Sequence, residues 1–231
     1  MVPRKARLQD HDPDVGGGGK EPVGHHGGES LLYFGGVEHL RVAIVGNAPC
    51  ALTGAHGRDI DDHDVVIRIN AGAPAPRHYE ALGKRTSILA IGSIQAYNAS
   101  KPYLPHSPEL WWMKGRTRLG IRQLEELYKQ NVYPAVWPDA LERLCRAETD
   151  APPSTGARLA WACRMHWQAK QITCYGMAFF GLLSAGESWW KKERPDGTVR
   201  HRPLENGPNE MAMLQRHGFS IGEDGIHRWK G

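Results

Sequence analysis

The residues that could do chemistry fall into three blocks. The first is "VAIVGNAPCALTGAHGRDIDDHDVVIRIN", Val42 to Asn70. An apolar run stops at Gly46-Asn47, a small-residue turn follows, and Asp61, His63 and Asp64 then crowd together. Two carboxylates and an imidazole so placed look like metal ligands. An asparagine amide offers a donor and an acceptor at once, so Asn47 and Asn70 could each grip a polar ligand, or each could simply turn the chain after a strand. The second block is "PPSTG", 152 to 156, where Ser154 or Thr155 can cap a helix. Backbone N–H groups at such a helix start favour an anion. The third is "HRPLENGPNEMAML", with His201, Glu205 and Glu210. Histidine titrates near neutral pH, which suits a general base, although a lone histidine here also reads as an ordinary loop residue. Neither G-x-G-x-x-G nor a Walker lysine is present, so dinucleotide and P-loop chemistry lose support.

The elements that must position these residues follow from periodicity. "VAIVG" reads as a buried strand stopped by Gly46, "DVVIRI" (64–69) as a second and "TSILAIG" (86–92) as a third. In the second, alternation sets Val65 and Ile67 on one face, with Val66 and Ile69 assigned to the other. "GIRQLEELYKQ" (120–130) has helical spacing. "STGARLAWACRMHWQAK" (154–170) predicts a long helix with a stripe of Leu159, Ala162, Cys163, His166 and Trp167. "QITCYGM" reads as a buried strand, and "NEMAMLQRHG" (209–218) as a helix capped by Asn209 and stopped by Gly218. Strands alternating with helices imply an α/β fold with a mostly parallel central sheet. Ligands then sit at the carboxyl ends of the strands, which here means "GNAPC", "PPSTG" and the segment after "CYGM".

Composition bounds the rest. The chain has 231 residues, enough for one globular domain, and is 40% apolar. Residues 1–37 read as a disordered Gly-rich tail, and 38–231 as the domain. A net charge of +4 is too sparse for the dense basic stripe of a nucleic-acid binder. No apolar run reaches the about 18 residues of a transmembrane helix, and nothing resembles a signal peptide. The cysteines at 50, 145, 163 and 174 lack C-x-x-C spacing, and a reducing compartment is the default. "ELWWMK" sets Trp111 and Trp112 beside basic residues, which suits stacking on a sugar or a helix docked on the core.

The first block resembles the long sialylmotif of glycosyltransferase family 29, the sialyltransferases. Val45-Gly46-Asn47, Ile60-Asp61, His63-Asp64, Val66, Arg68 and Asn70 fall at the motif's spacing, and Leu82-Gly83-Lys84-Arg85-Thr86 echoes its tail. Pro153-Ser154-Thr155-Gly156 with Tyr175-Gly176 resembles the short sialylmotif. "ESWWKK" stands where the family has an aromatic motif, and His201 followed by Glu205 or Glu210 resembles the very short motif. The four blocks occur in the family's order, over about 41 to 214, as in a short bacterial-type member. Several positions depart. Val42 and Trp167 stand where secretory members carry paired cysteines, Ala48-Pro49 replaces Ser-Gly, and Ser188 or Trp189 stands near the aromatic-motif histidine.

The resemblance implies a single Rossmann-like domain of the GT-A-variant type. It implies inverting transfer of a sialic acid, or a related acidic sugar, from a CMP donor to a glycan or glycolipid hydroxyl. Catalysis would need no metal and no cofactor, the CMP-sugar being a co-substrate. His201 is then the expected base, and Asn47, Asn70, Ser154, Thr155 and Gly156 the expected CMP contacts. Secondary contacts to donor or acceptor are expected at Gly46, Gly176, Trp189, Glu205 and Glu210. The Asp61–His63–Asp64 cluster is expected to brace the long motif rather than bind metal. Competing readings are a CMP-Kdo-type transferase on the same fold, an inactive CMP-binding protein, and, more weakly, a metal-dependent hydrolase. The expected location is cytoplasmic, with weak peripheral contact at the inner membrane through the basic segments 4–7 and 114–118. A Golgi enzyme is the alternative for a eukaryotic source, and the absent cysteine pair argues against it.

Overall fold

The computed structural model describes residues 39–104, 106–114, 118–149, 152–179, 189 and 206–231. The expected tail, 1–37, lies outside the described residues, as do His201 and Glu205. The protein is built on one eight-stranded sheet in the order β5-β4-β3-β2-β1-β6-β8-β7. The strands are β1 (Arg41–Val45), β2 (Val65–Ile69), β3 (Ile88–Ile91), β4 (Glu109–Trp112), β5 (Ala135–Val136), β6 (Gln171–Tyr175), β7 (Ser220–Ile221) and β8 (His227–Lys230). The first six are parallel, and β8 and β7 close one edge antiparallel. The helices are α1 (Gly57–Asp61), α2 (Tyr79–Leu82), α3 (Ile94–Ser100), α4 (Arg118–Lys129), α5 (Asp139–Thr149), α6 (Thr155–Met165) and α7 (Asn206–Arg216). This is the α/β fold with a mostly parallel, helix-flanked sheet that the alternation of elements predicts.

Strand alternation sorts the core into layers. Val42, Ile44, Ile67, Ile69, Ala90, Trp111, Ile172 and Cys174 face a layer built from α5, α6 and α7. Ala43, Val45, Val66 and Tyr175 face the α1–α2 side. Leu89, Ile91, Leu110 and Trp112 face α3 and α4. Ile69 thus joins Ile67, and the residue sharing the Val66 face is Arg68, because side chains of a strand repeat every second residue. Winding runs outward from β1 to β5, then returns through α5 and α6 on the opposite face to place β6 beside β1. That reversal makes the carboxyl ends of β1 and β6 a topological switch point, where open α/β sheets bind ligands.

Other boundaries depart from the sequence reading for identifiable reasons. Helix α6 ends at Met165, and Trp167 to Lys170 fall beyond it. Gly156 to Cys163 are all buried, so α6 is enclosed all round instead of striped, with Arg158 paired to Glu142. Helix α7 starts at Asn206, which puts Asn209 inside it, donating from Nδ2 to the Thr149 carbonyl at 3.2 Å. Trp111 and Trp112 are 1% and 0% exposed within β4, so they form core and offer no sugar platform. All four cysteines are free, and burial pushes the Cys145 thiol up to about 12.

The C-terminal hairpin secures the chain beyond β6. His227 is fully buried; its Nε2–H donates to the Met177 carbonyl at 2.8 Å, and its Nδ1 accepts the Gly222 N–H at 3.2 Å. Phe179 stacks on the same ring at 4.8 Å. Burial holds the imidazole below its ordinary pKa, and protonation would break the Gly222 bond. The folded state therefore favours the neutral ring. Its contribution to stability is complete above about pH 6.5, the unfolded histidine value, and is lost as pH falls through the lower folded value. Thermal melts between pH 7.5 and 5.5 should show Tm falling with acidity, and His227→Gln should flatten that slope; an unaltered slope would refute this assignment.

Candidate functional site

The β1–β6 switch point is framed by backbone approaches so close that they require glycine. After β1, Gly46 N–H donates to the Tyr175 carbonyl at 2.7 Å and Ala48 N–H to the Gly176 carbonyl at 3.0 Å. A Cβ on Gly46 would stand 2.4 Å from the Gly176 oxygen. Gly176 itself has φ +63°, in the left-handed region. Met177 follows, reaching toward both Gly46 and Gly156, and a Cβ on Gly156 would lie 3.2 Å from Met177 Cε and 3.3 Å from Ile69 Cδ1. The ends of β1, β2 and β6 and the start of α6 thus converge, and they carry Gly46, Asn47, Asn70, Ser154, Thr155, Gly156 and Gly176.

Each asparagine spends one end of its amide on the fold. Asn47 Nδ2 donates to the Ile69 carbonyl at 3.0 Å, while its Oδ1 is buried without a partner. Asn70 takes φ +52°, a conformation asparagine tolerates better than most residues. Its Oδ1 accepts the Gly92 N–H at 2.8 Å, tying β2 to β3. Its Nδ2 has no partner among the described residues. One asparagine is left with an acceptor and the other with a donor. The turn reading holds for Asn70; Asn47 lies outside the left-handed region and instead holds the Ile69 carbonyl, and each amide keeps one group unpaired.

Ser154 is the cap of α6, its Oγ accepting the Ala157 N–H at 3.2 Å. It is gripped from α7 by Glu210, whose carboxylate accepts the Ser154 N–H at 2.5 Å and its hydroxyl at 2.8 Å. Glu210 is only 1% exposed, so this expected contact residue is buried behind Ser154. Trp189 is buried, its backbone N–H donating to the Asn47 carbonyl at 3.0 Å and its ring meeting His78 edge-on at 5.3 Å.

The Asp–His knot is a brace. Asp61 accepts the backbone N–H groups of Lys84 at 3.0 Å and Arg85 at 2.8 Å. Gly83, at φ +67°, brings that loop so close that a Cβ would lie 2.5 Å from Asp61 Oδ1. Arg85 returns the contact, donating to the carbonyls of Asp61, His63 and Asp64. His63 Nδ1–H donates to the Asp59 carbonyl at 2.7 Å, leaving Nε2 to accept from the Thr173 hydroxyl at 3.3 Å. Asp64 accepts the Arg41 N–H at 2.7 Å, which holds its carboxyl below the usual range. Each group is turned toward a different part of the chain.

Sequence reasoning assigned no role to Arg68, which is fully buried and donates to the carbonyls of Leu82, Gly83 and Arg85 and to the Thr86 hydroxyl. A cation in an otherwise apolar strand was the available signal. Gly72 and Gly92 were also passed over, although one leaves room for Asn47 Oδ1 and the other offers its N–H to Asn70.

Fold and crevice define an α/β domain of the kind that takes its ligand at the carboxyl ends of parallel strands. Residues 33–109, about a third of the chain, match the sequence profile of glycosyltransferase family 29 (sialyltransferase), a stretch that runs from before β1 to the first residue of β4. Two crystal structures share the fold: a mammalian sialyltransferase (TM-score 0.52, 16% identity, 77% of this chain) and a mammalian sialyltransferase in complex with Gal-beta-1-3GalNAc-ortho-nitrophenol (TM-score 0.51, 15% identity, 76% of this chain). The chain spans 65% of each of those structures. A curated relative, beta-1,6-galactosyltransferase GALT29A of Arabidopsis thaliana, is 34% identical over 74 residues, which is 32% of this chain and 18% of the relative. Among the described residues, no helix is long and apolar enough to cross a membrane.

Proposed function

We propose that this protein is a glycosyltransferase that binds a nucleotide-activated sugar in the crevice between β1, β2, β6 and the start of α6. The observation that carries this reading is the asparagine pair. The acceptor left on Asn47 and the donor left on Asn70 suit the mixed donor–acceptor edge of a nucleobase or ribose, and a helix start beside them suits a phosphate. The donor is a CMP-activated acidic sugar, by the resemblance of all four motifs to the sialyltransferases. His201 serves as base for the acceptor hydroxyl, with Glu205 or Glu210 as the glutamate of the same motif and no metal or cofactor required. The acceptor is a glycan or glycolipid. A second reading, transfer of galactose from a nucleotide donor, is favoured by the plant galactosyltransferase that matches the first block.

The test is release of free nucleotide from CMP-N-acetylneuraminic acid, CMP-Kdo and UDP-galactose, with EDTA present, by wild type, Asn47→Ala and His201→Ala. Release from a CMP-sugar that both variants lose is the expected result. Release from UDP-galactose alone would move the assignment to the galactosyl donor. CMP binding without turnover would leave a non-catalytic binding protein.

A further inference from the structure

We propose that Glu210 is a positioning residue of this crevice: its buried carboxylate anchors the start of α6 and withholds the Ser154 proton from the ligand, so that Thr155 and Gly156 meet the phosphate. The inference rests on the functional reading above for the presence of a phosphate there. A serine hydroxyl has one proton to give, and that of Ser154 goes to Glu210 Oε2 at 2.8 Å. Its oxygen is already engaged by the Ala157 N–H at 3.2 Å, and the Arg158 N–H is spent on the Ser154 carbonyl at 3.0 Å. The donors left at the helix start are the N–H groups of Thr155 and Gly156 and the Thr155 hydroxyl, none with a partner among the described residues. Ile69 links this end to the other half of the crevice. Its Cδ1 lies 3.3 Å from the Cβ position of Gly156, and its carbonyl holds the Asn47 amide, whose Oδ1 is buried and unpaired. The carboxylate also brings a negative charge to the helix end that a phosphate would share, which disfavours the incoming anion.

Substitutions at this one position should act in opposite directions. Glutamine keeps the shape and still accepts the Ser154 N–H. It offers an N–H to the Ser154 oxygen, so the hydroxyl proton turns toward the ligand and the buried charge is gone. Glu210→Gln should bind CMP about three- to tenfold more tightly by titration calorimetry on the full chain, with Tm unchanged. Adding Ser154→Ala to it should remove the gain. Glu210→Ala leaves the helix start unanchored and should weaken CMP binding about tenfold or more. A folded Glu210→Gln protein with unchanged or weaker CMP affinity overturns the proposal. A measurement on wild type needs no variant: saturating CMP should slow amide exchange at Thr155 and Gly156 and leave Ser154, already held by Glu210, unaltered. Slowing at Ser154 alone overturns the proposal. If wild type binds no CMP, the functional reading fails, and this inference falls with it; wild-type binding that ignores both variants sinks the inference alone.

Discussion

Arg68→Met is expected to remove about 3–5 kcal/mol of folding stability, which for a domain of this size lowers Tm by roughly 6–20 °C. The guanidinium is wholly buried on the face of β2 that packs against α1 and α2, and burial pulls its pKa down to about 10. It therefore stays charged at neutral pH, and the fold bears the desolvation cost. Asp61 offsets part of this, and the carbonyls of Leu82, Gly83 and Arg85 offset more. Many buried ion pairs can be exchanged for apolar side chains of similar volume at little cost. This one cannot, because three of its acceptors are main-chain oxygens that no side-chain substitution removes. Methionine fills the space and leaves them without donors, at about 1–3 kcal/mol for each buried group. Denaturant unfolding of wild type and Arg68→Met measures the loss; a difference below about 1 kcal/mol, the scale of one ordinary hydrogen bond, would show the loop to be held by Asp61 and Arg85 without Arg68.

The same residue shows what was legible in the sequence. The spacing of Ile60-Asp61, His63-Asp64, Arg68 and Asn70 marked a motif, and the long runs "VAIVG" and "QITCYG" marked buried parallel strands, because both faces of such strands are apolar. What the pattern could not give was the third dimension. Asp61 and Arg68 meet the 82–86 loop only after α2 has folded back over α1, and no periodicity encodes that approach. Strand β4 was missed because "ELWW" is a short apolar run that reads equally as helix, strand or exposed aromatic platform. Its two tryptophans are buried by α3 and α4 on one face and by the α5–α7 layer on the other. The C-terminal strands were missed for a related reason. β8 alternates aromatic with charged residues and keeps one side wet beside the antiparallel edge, and β7 at that edge is only two residues long.

The candidate site was legible in outline and misread in detail. Asn47, Asn70 and Ser154 read as ligand contacts or as turn and cap residues; the geometry makes Asn70 a turn residue and Ser154 a cap, has Asn47 hold the Ile69 carbonyl without a left-handed turn, and leaves each asparagine one unpaired amide group. Ser154 is different: its hydroxyl is consumed by a residue on α7, fifty-six positions away. Sequence spacing can propose that Glu210 belongs to a motif. Only the packing of α7 against α6 shows that it faces inward. The bracing cluster is the converse. Carboxylates and imidazole close in sequence suggest a metal site, yet an extended strand and a tight turn point neighbouring side chains in different directions.

Gly176→Ala is expected to damage stability and ligand binding together. With φ at +63°, an alanine here bears about 1–2 kcal/mol of left-handed strain. Its methyl would also stand 2.5 Å from Ala51 Cβ, closer than real contacts allow, and relieving that overlap costs about 1–3 kcal/mol more. The total, about 2–5 kcal/mol, exceeds the cost of most surface substitutions. Relief requires movement, and the parts free to move are those that frame the crevice. The Gly176 carbonyl accepts the Ala48 N–H, so displacing it disturbs the turn that carries Asn47. Met177, next in the chain, packs against Gly156 at the start of α6. Loss of CMP binding is therefore expected even at temperatures where the variant remains folded. Calorimetric titration well below its Tm, beside the melt itself, separates the two effects. An alanine variant that melts several degrees lower yet binds CMP as wild type does would show that the β1–β6 switch point does not position the nucleotide, and would move the site away from this crevice.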